Sequence, residues 1–281
     1  FRARLASGVQ TVQVYEKEEV QALALSIIPV EKLESEEGRD GDDARDALLR
    51  ALLRWFKQEF FSWVDKIRCD ACSAKSTVLV GMTQPTHEDL MYGAQRVEAY
   101  KCEMCGSFSR FPRYNDPAKL LETRRGRCGE WANCFSLCAR AMGFEARYVL
   151  DLTDHVWTEV WSEGRQRWIH LDSCENAFDK PKLYERGWGK KLHYIFAFSV
   201  EGAKDVSRRY SIDFSAALGR RSQVPEEWLA AEVGRVTASL RARLPPARVK
   251  ALEERDLKEE AELERAGDPV PAPQPQPSAK E

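Results

Sequence analysis

Apolar positions recur at helical spacing over residues 47–64, ALLRALLRWFKQEFFSWV. Leu48, Leu49, Leu52, Leu53, Phe56 and Phe60 share one face, which predicts an amphipathic helix. A second stripe runs through GEWANCFSLCARAMGF, where Trp131, Cys134, Phe135, Cys138 and Met142 repeat at the same period. Gly143 is its expected C-cap. Downstream, HVWTEVW and RWIHLDS are β-prone runs around SEGRQ, and they predict a hairpin. With the turn centred on Gly164 and Arg165, Trp157 pairs with Asp172 and His155 with Cys174. His155 and Asp172 then become diagonal neighbours on one face, roughly 7–8 Å apart at Cα. Further strands are expected near 146–152 and 193–199. Residues 223–265 are mixed in charge and helix-prone, with a break at Pro245 and Pro246.

The rest of the chain is polar. Residues 34–46, ESEEGRDGDDARD, read as a solvated linker, and residues 268–280 alternate proline with small or polar residues and read as disordered. No internal repeat is evident. Hydrophobic residues make up 43% of the 281, enough for a sizeable core. Charged residues are 31% but nearly cancel, at a formal net charge of −2. That balance argues against a dedicated nucleic-acid binder and against attraction to anionic membranes. No apolar run is long enough to span a bilayer, so no membrane insertion is expected. The chain opens on Phe1 rather than methionine, as a fragment would.

Eight cysteines without a secretory signal point to a reducing compartment, where cysteines serve metals or catalysis. Four of them form two pairs, Cys69 with Cys72 and Cys102 with Cys105. A two-residue gap lets both thiolates of a pair face one ion across a tight turn. Two such knuckles supply the four sulfurs of a closed, structural zinc site.

Cys134 and Cys138 lie on the apolar stripe and need no role beyond packing. Cys128 differs. It stands at a helix start between Gly126 and Gly129, after Arg124, Arg125 and Arg127. Helix N–H groups and nearby cations favour a thiolate, and small neighbours admit a substrate. A nucleophilic thiolate needs a base and an orienting acid. His155 and Asp172 fit those roles. His170 is a rival base, and Asp151, Asp154 and Asp179 are rival acids.

GRCGEWANCF, DHVWTEVW, RWIHLDSCE and GWGKKL, in this order, resemble the transglutaminase-like core of the cytoplasmic peptide:N-glycanase family, in its short fungal form. The resemblance covers roughly residues 47–210 and includes both cysteine knuckles. It implies an α+β fold with a transglutaminase-like (papain-like) core, a four-cysteine zinc-binding module and flanking N- and C-terminal helices. The expected division is an N-terminal helical arm and charged linker (1–46), a helix plus zinc module (47–122), the catalytic core (123–215), C-terminal helices (216–267) and a Pro-rich tail (268–281). The implied chemistry is Cys128–His155–Asp172 hydrolysis of the amide joining an N-glycan to asparagine. Glu175 is implied as a contact to the first sugars. The Trp63 indole is implied as an oxyanion donor beside the Cys128 N–H. Trp157, Trp168 and Arg147 match family positions near the site. The family also implies denatured N-glycoproteins as substrates, a ubiquitin-receptor shuttle of the proteasome as partner, and a cytoplasmic place, with the nucleus as a second compartment, in disposal of misfolded glycoproteins from the endoplasmic reticulum. A protein transglutaminase or cysteine protease would use the same triad, and a non-catalytic scaffold is the third class.

Overall fold

The structure is a computed structural model that describes residues 1–35 and 43–266. Residues 36–42 of the expected linker and the Pro-rich stretch 268–281 lie outside the described residues. The chain begins with three helices, α1 (Arg2–Val14), α2 (Glu18–Ile27) and α3 (Val30–Ser35). The predicted helix over 47–64 is present but shorter. α4 (Ala44–Trp55) starts where the Asp43 carboxylate accepts from the Arg45 N–H, and it passes into one π-helical turn, Phe56–Phe60. The wider turn lets neighbouring aromatics all face inward. Phe56 stacks on Phe61 at 5.2 Å and meets Trp131 and Phe135 edge-on. The chain then extends as β1 (Ser62–Trp63).

A small module follows: β2 (Thr77–Thr83), α5 (His87–Met91), β3 (Val97–Cys102) and β4 (Phe108–Pro112), with strand order β2-β3-β4. α6 (Pro117–Thr123) and β5 (Arg125–Gly126) lead into α7 (Cys128–Ala141). β5 pairs in parallel with β1, so that Trp63 lies opposite Gly126.

α7 is the centre of the molecule. Every residue from Glu130 to Ala139 is buried, because helices cover one side and a sheet covers the other. The predicted stripe Trp131, Cys134, Phe135 and Cys138 lies in the main core. Gly143 follows with φ +76°, and its N–H and that of Phe144 return to Arg140 and Ala139. This left-handed turn is why glycine stands there.

The sheet comprises β6 (Ala146–Asp151), β7 (His155–Ser162), β8 (Arg167–Asp172) and β9 (Ala177–Phe178). After α8 (Leu183–Trp188) it continues with β10 (Ile195–Ser199) and β11 (Gly202–Asp205). The order is β11-β10-β6-β7-β8-β9, antiparallel throughout. The four expected strands are there. The hydrophobic pattern does not announce β9 or β11, since β9 has two residues and β11, GAKD, is half polar. β7 pairs with β8 from Ser162↔Arg167 to Thr158↔Leu171, which is the register read from the sequence.

One sheet face rests on α7, where Ser136 bonds Thr158 at 2.9 Å. The other is covered by α8, α9 (Ser207–Tyr210), α10 (Phe214–Gly219) and α12 (Pro246–Ala266), while α11 (Glu226–Arg241) packs on β11 with Leu229 and Val233 in the main core. A second core forms there from Val149, Trp157, Tyr184, Ile195 and Tyr210. α12 is tied down by a buried cluster in which Arg147 and Arg209 both bond Glu159 of β7 and Glu259 of α12. Among the described residues, no helix is long and apolar enough to cross a membrane.

Candidate active site

Cys128 is the first residue of α7 and is half-buried. What brings it there is a tight strand-to-helix passage. A Cβ on Gly126 would sit 2.3 Å from the Cβ of Glu130, so only glycine fits. The Gly126 carbonyl in turn accepts from the Trp131 indole at 3.1 Å and the Val64 N–H at 3.0 Å. Glu130 closes the helix start by accepting the Arg127 N–H at 3.0 Å.

His155 begins β7 and Asp172 ends β8. Their side chains meet at 2.8 Å, His155 Nε2 to Asp172 Oδ2. Cys128 lies close enough to the same ring to raise its proton affinity, and with Nε2 engaged by Asp172 the ring has Nδ1 free on its other side. Burial alone would lower the imidazole pKa. The Asp172 hydrogen bond and the influence of Asp172 and Cys128 beside the ring outweigh it and raise the value from 6.5 to about 9. Burial would likewise raise the Asp172 carboxyl, but the bond to His155, the charge of that ring and the Tyr184 hydroxyl hold it below its ordinary 3.8. The raised value keeps His155 protonated at neutral pH, between the Cys128 sulfur and the Asp172 carboxylate.

The rivals fall away on geometry. His170 is wholly buried, and desolvation lowers its pKa to about 4. It is bonded to Tyr184 rather than to a cysteine. Asp151 accepts from Lys190 at 3.0 Å, Asp179 is paired with Arg167, and Asp154 is exposed.

The basic run before Cys128 is not aimed at the thiol. Arg127 grips Glu98 of β3 at 2.7 and 2.8 Å and adds Tyr100 Oη at 3.0 Å. Arg113 bridges Glu98 to Glu130. The carboxylates neutralise these cations, and His155 is the cation that faces sulfur. The same ion-pair network also fastens the small module to the start of α7.

Glu175 is exposed in the turn after β8, and its N–H donates to Asp172 at 3.2 Å. Trp63 is 45% exposed, one strand away from the approach to Cys128, but its indole N–H is engaged by Asp65 at 2.8 Å. An oxyanion bond from Trp63 requires that partner to be exchanged. The Cys128 N–H stands at the first turn of α7, where helix donors have no intrahelical partner. Trp157 is fully buried and stacks on Tyr184 at 4.4 Å, so it has no face left for substrate. Trp168 lies four residues before Asp172 on the same strand, about 13 Å away. It carries the Arg147 guanidinium on its ring at 3.9 Å. Trp168 and Arg147 belong to the clamp on α12 rather than to the triad. Sequence reasoning misses Tyr184 and Trp188, whose rings stand 5.1 and 4.9 Å from His155.

Cys69, Cys72, Cys102 and Cys105 converge, with their sulfurs within 4.8 Å of one another. Two sulfur pairs lie at 3.6 Å. A tetrahedron of Zn–S bonds about 2.3 Å long has edges near 3.8 Å, so the four thiols can hold a metal ion with a closed shell.

The coupling of the triad makes stability depend on pH. The folded His155 binds its proton more tightly than the unfolded ring. Its contribution is complete below pH 6.5 and is lost as the pH rises through about 9. Asp172 contributes above its ordinary 3.8 and stops contributing as the pH falls below that. The stability gap between wild type and His155→Phe should shrink between pH 6.5 and 9, on the order of 3 kcal/mol. A gap that stays constant in thermal melts over that range would contradict this.

A transglutaminase-like superfamily model matches residues 76–173, and a Rad4 transglutaminase-like domain model matches residues 150–264. Among solved structures, the Rad4–Rad23 complex bound to a 6-4 photoproduct UV lesion is similar at a TM-score of 0.61 and 15% identity, covering 97% of this chain and 58% of that one. That likeness concerns the fold alone. The curated peptide-N(4)-(N-acetyl-beta-glucosaminyl)asparagine amidase of Mus musculus is 46% identical over 92% of this chain, which spans 42% of its length. The amidase of the same name from Yarrowia lipolytica is 43% identical over 89% of this chain, and there the chain spans 73% of the relative. On that match the chain belongs to the peptide-N(4)-(N-acetyl-beta-glucosaminyl)asparagine amidase family.

Proposed function

We infer that this chain hydrolyses the amide between an N-glycan and its asparagine, with Cys128 as nucleophile, His155 as acid and base, and Asp172 as the group that orients His155. The observation that carries this reading is the arrangement around His155, with Asp172 at 2.8 Å and Cys128 near enough to raise the pKa of the same ring. The Cys128 sulfur, having given its proton to His155, attacks the side-chain carbonyl carbon. The oxyanion forms near the Cys128 N–H. His155 returns its proton to the departing nitrogen, and the glycan leaves as a glycosylamine. A thioester remains. His155 then takes a proton from water, the hydroxide attacks the thioester, and Cys128 is released with aspartate on the substrate.

Zinc is the metal that four thiolates in closed array suit best, and its role is structural. Trp157 and Trp168 act as packing residues in this reading. N-glycoproteins in denatured form are the substrates, because an asparagine still held against its own domain would bring that bulk onto the site. Action in the cytoplasm, with the nucleus as a second compartment, follows from the family reading, and the unpaired thiols suit a reducing environment. A proteasome-linked ubiquitin receptor is the partner that the family resemblance suggests.

The test is to incubate the protein with one glycoprotein, native and denatured, and to follow free glycan and conversion of Asn to Asp. Cleavage is expected on the denatured form, with the native form resisting. Incorporation of an added amine instead of water would point to a transglutaminase. Glu175→Ala should lower kcat/KM on the denatured substrate about tenfold, the scale of one hydrogen bond to a charged group. An unchanged value would remove Glu175 from the sugar contact.

A further inference from the structure

Asp172 is held from four directions. Its Oδ1 accepts the N–H of Cys174 at 2.8 Å and of Glu175 at 3.2 Å. Its Oδ2 accepts from His155 at 2.8 Å and from the Tyr184 hydroxyl at 2.9 Å. That hydroxyl also lies 2.7 Å from His170 Nε2. A hydroxyl has one proton, and an ionised carboxylate can only accept. The Tyr184 proton therefore goes to Asp172, and the Tyr184 oxygen accepts from His170 Nε2–H. The far end of the chain agrees. His170 Nδ1 accepts the Lys180 N–H at 3.3 Å, so a single neutral tautomer satisfies both ring nitrogens. The pKa of about 4 keeps that ring neutral at physiological pH.

The Tyr184 ring is fixed as firmly as its hydroxyl. It is fully buried, stacks on Trp157 and meets His155 edge-on. It comes from α8, a single short helix that also brings Trp188 against His155 and ends at Gly189 with φ +65°.

We propose that Tyr184 is a positioning residue for the reaction: its hydroxyl, with its proton directed by His170, pins the Asp172 oxygen that His155 uses and limits how strongly that oxygen draws the imidazole proton. Two donors on one oxygen share its charge. Without the hydroxyl, Asp172 turns more freely and binds the His155 proton more tightly. The ring should then be both less well aimed and more basic. The titratable groups facing this chain are His155 on β7, Asp172 and His170 on β8, Cys128 on α7, Tyr210 on α9 and Cys174 in the turn after β8. Glu159 and Asp179 act on His170 from farther along the sheet and from the loop after β9.

The proposal rests on the amidase reading of the triad, so the experiment separates the two. Tyr184→Phe, which keeps the stacked ring, is compared with wild type and Cys128→Ala on a denatured glycopeptide across a range of about pH 6–10, which brackets the His155 titration. Alkylation of Cys128 by iodoacetamide, followed by peptide mass, is measured over the same range. The expected result for Tyr184→Phe is kcat about tenfold lower, KM within a factor of about two, and an upward shift of the alkaline limb in both turnover and alkylation. Wild-type kcat with an unmoved limb would overturn the proposal. So would a lower kcat without the upward shift, since that is what loss of packing alone would give. An active Cys128→Ala would bring down the triad reading and this proposal together. An inactive Cys128→Ala beside a wild-type-like Tyr184→Phe would bring down this proposal only.

Discussion

Cys128→Ala should fold normally and release no glycan, with turnover down by at least about 10⁴-fold, the scale on which losing a covalent nucleophile is felt. The two halves of this expectation have separate causes. Cys128 is half-buried at the first position of α7. Alanine is a good helix former and opens no core cavity there. The turn that places residue 128 depends on Gly126, Glu130 and Trp131, none of which touches the sulfur for its own bonds. Chemistry is another matter, because no other cysteine can substitute. Cys134 and Cys138 are sealed in the core, and burial pushes the Cys174 thiol well above its ordinary value. Measured deglycosylation near the wild-type rate, with an unchanged melting temperature, would remove Cys128 from the reaction.

Stripping the metal, or replacing Cys102 by serine, should also cost activity, by a different route. The module that carries the four thiols has a small core built around Val64, Ile67, Tyr100 and Phe111. At about 2 kcal/mol each, these side chains cannot alone offset the ordering of the chain around them. Metal binding, on the order of 10 kcal/mol in small zinc domains, can. The effect then reaches the nucleophile along β3. Glu98, Tyr100 and Cys102 alternate on one face of that strand, so the metal ligand and the two groups that hold Arg127 share a rigid element. Arg127 is the residue before Cys128. Activity should fall at least about 100-fold in step with metal removal by a chelator, and the chain should bind one zinc per molecule when intact. Full activity in a metal-free preparation would refute the link.

Much of this was legible in the sequence, for local reasons. Helix and strand periods repeat every few residues, so α7 and the β7–β8 hairpin show their faces directly. A hairpin with a short turn has few registers, so the meeting of His155 and Asp172 followed from counting. The cysteine pairs needed only their spacing. What stayed hidden depends on distant partners. Tyr184 lies twelve residues beyond Asp172 on a separate helix, and nothing in LYERGW marks its hydroxyl as bound for Asp172. The three arginines before Cys128 looked like an electropositive setting for sulfur. Only the fold reveals that Glu98, on a strand of the small module, engages the nearest of them. Trp157 and Trp168 match family positions near the site, and only the fold shows how they pack, Trp157 on Tyr184 and Trp168 under Arg147. One signal was available and unused. Glu159 sits mid-strand on the same face as His155 and Trp157, and a carboxylate there demands buried cations. Arg147 and Arg209 are those cations.

The order in which the chain is made sets one further condition. α1 belongs to the main core, where Leu5 and Val12 join Phe196 and Phe198 of β10, and Tyr15 reaches Asn133 of α7. α1 thus waits for a strand that is made much later. Roughly 180 residues separate them, on the order of 10–40 s of synthesis. Through that interval part of its apolar stripe stays uncovered, and a nascent chain in this condition is a client for whatever holdase first meets it.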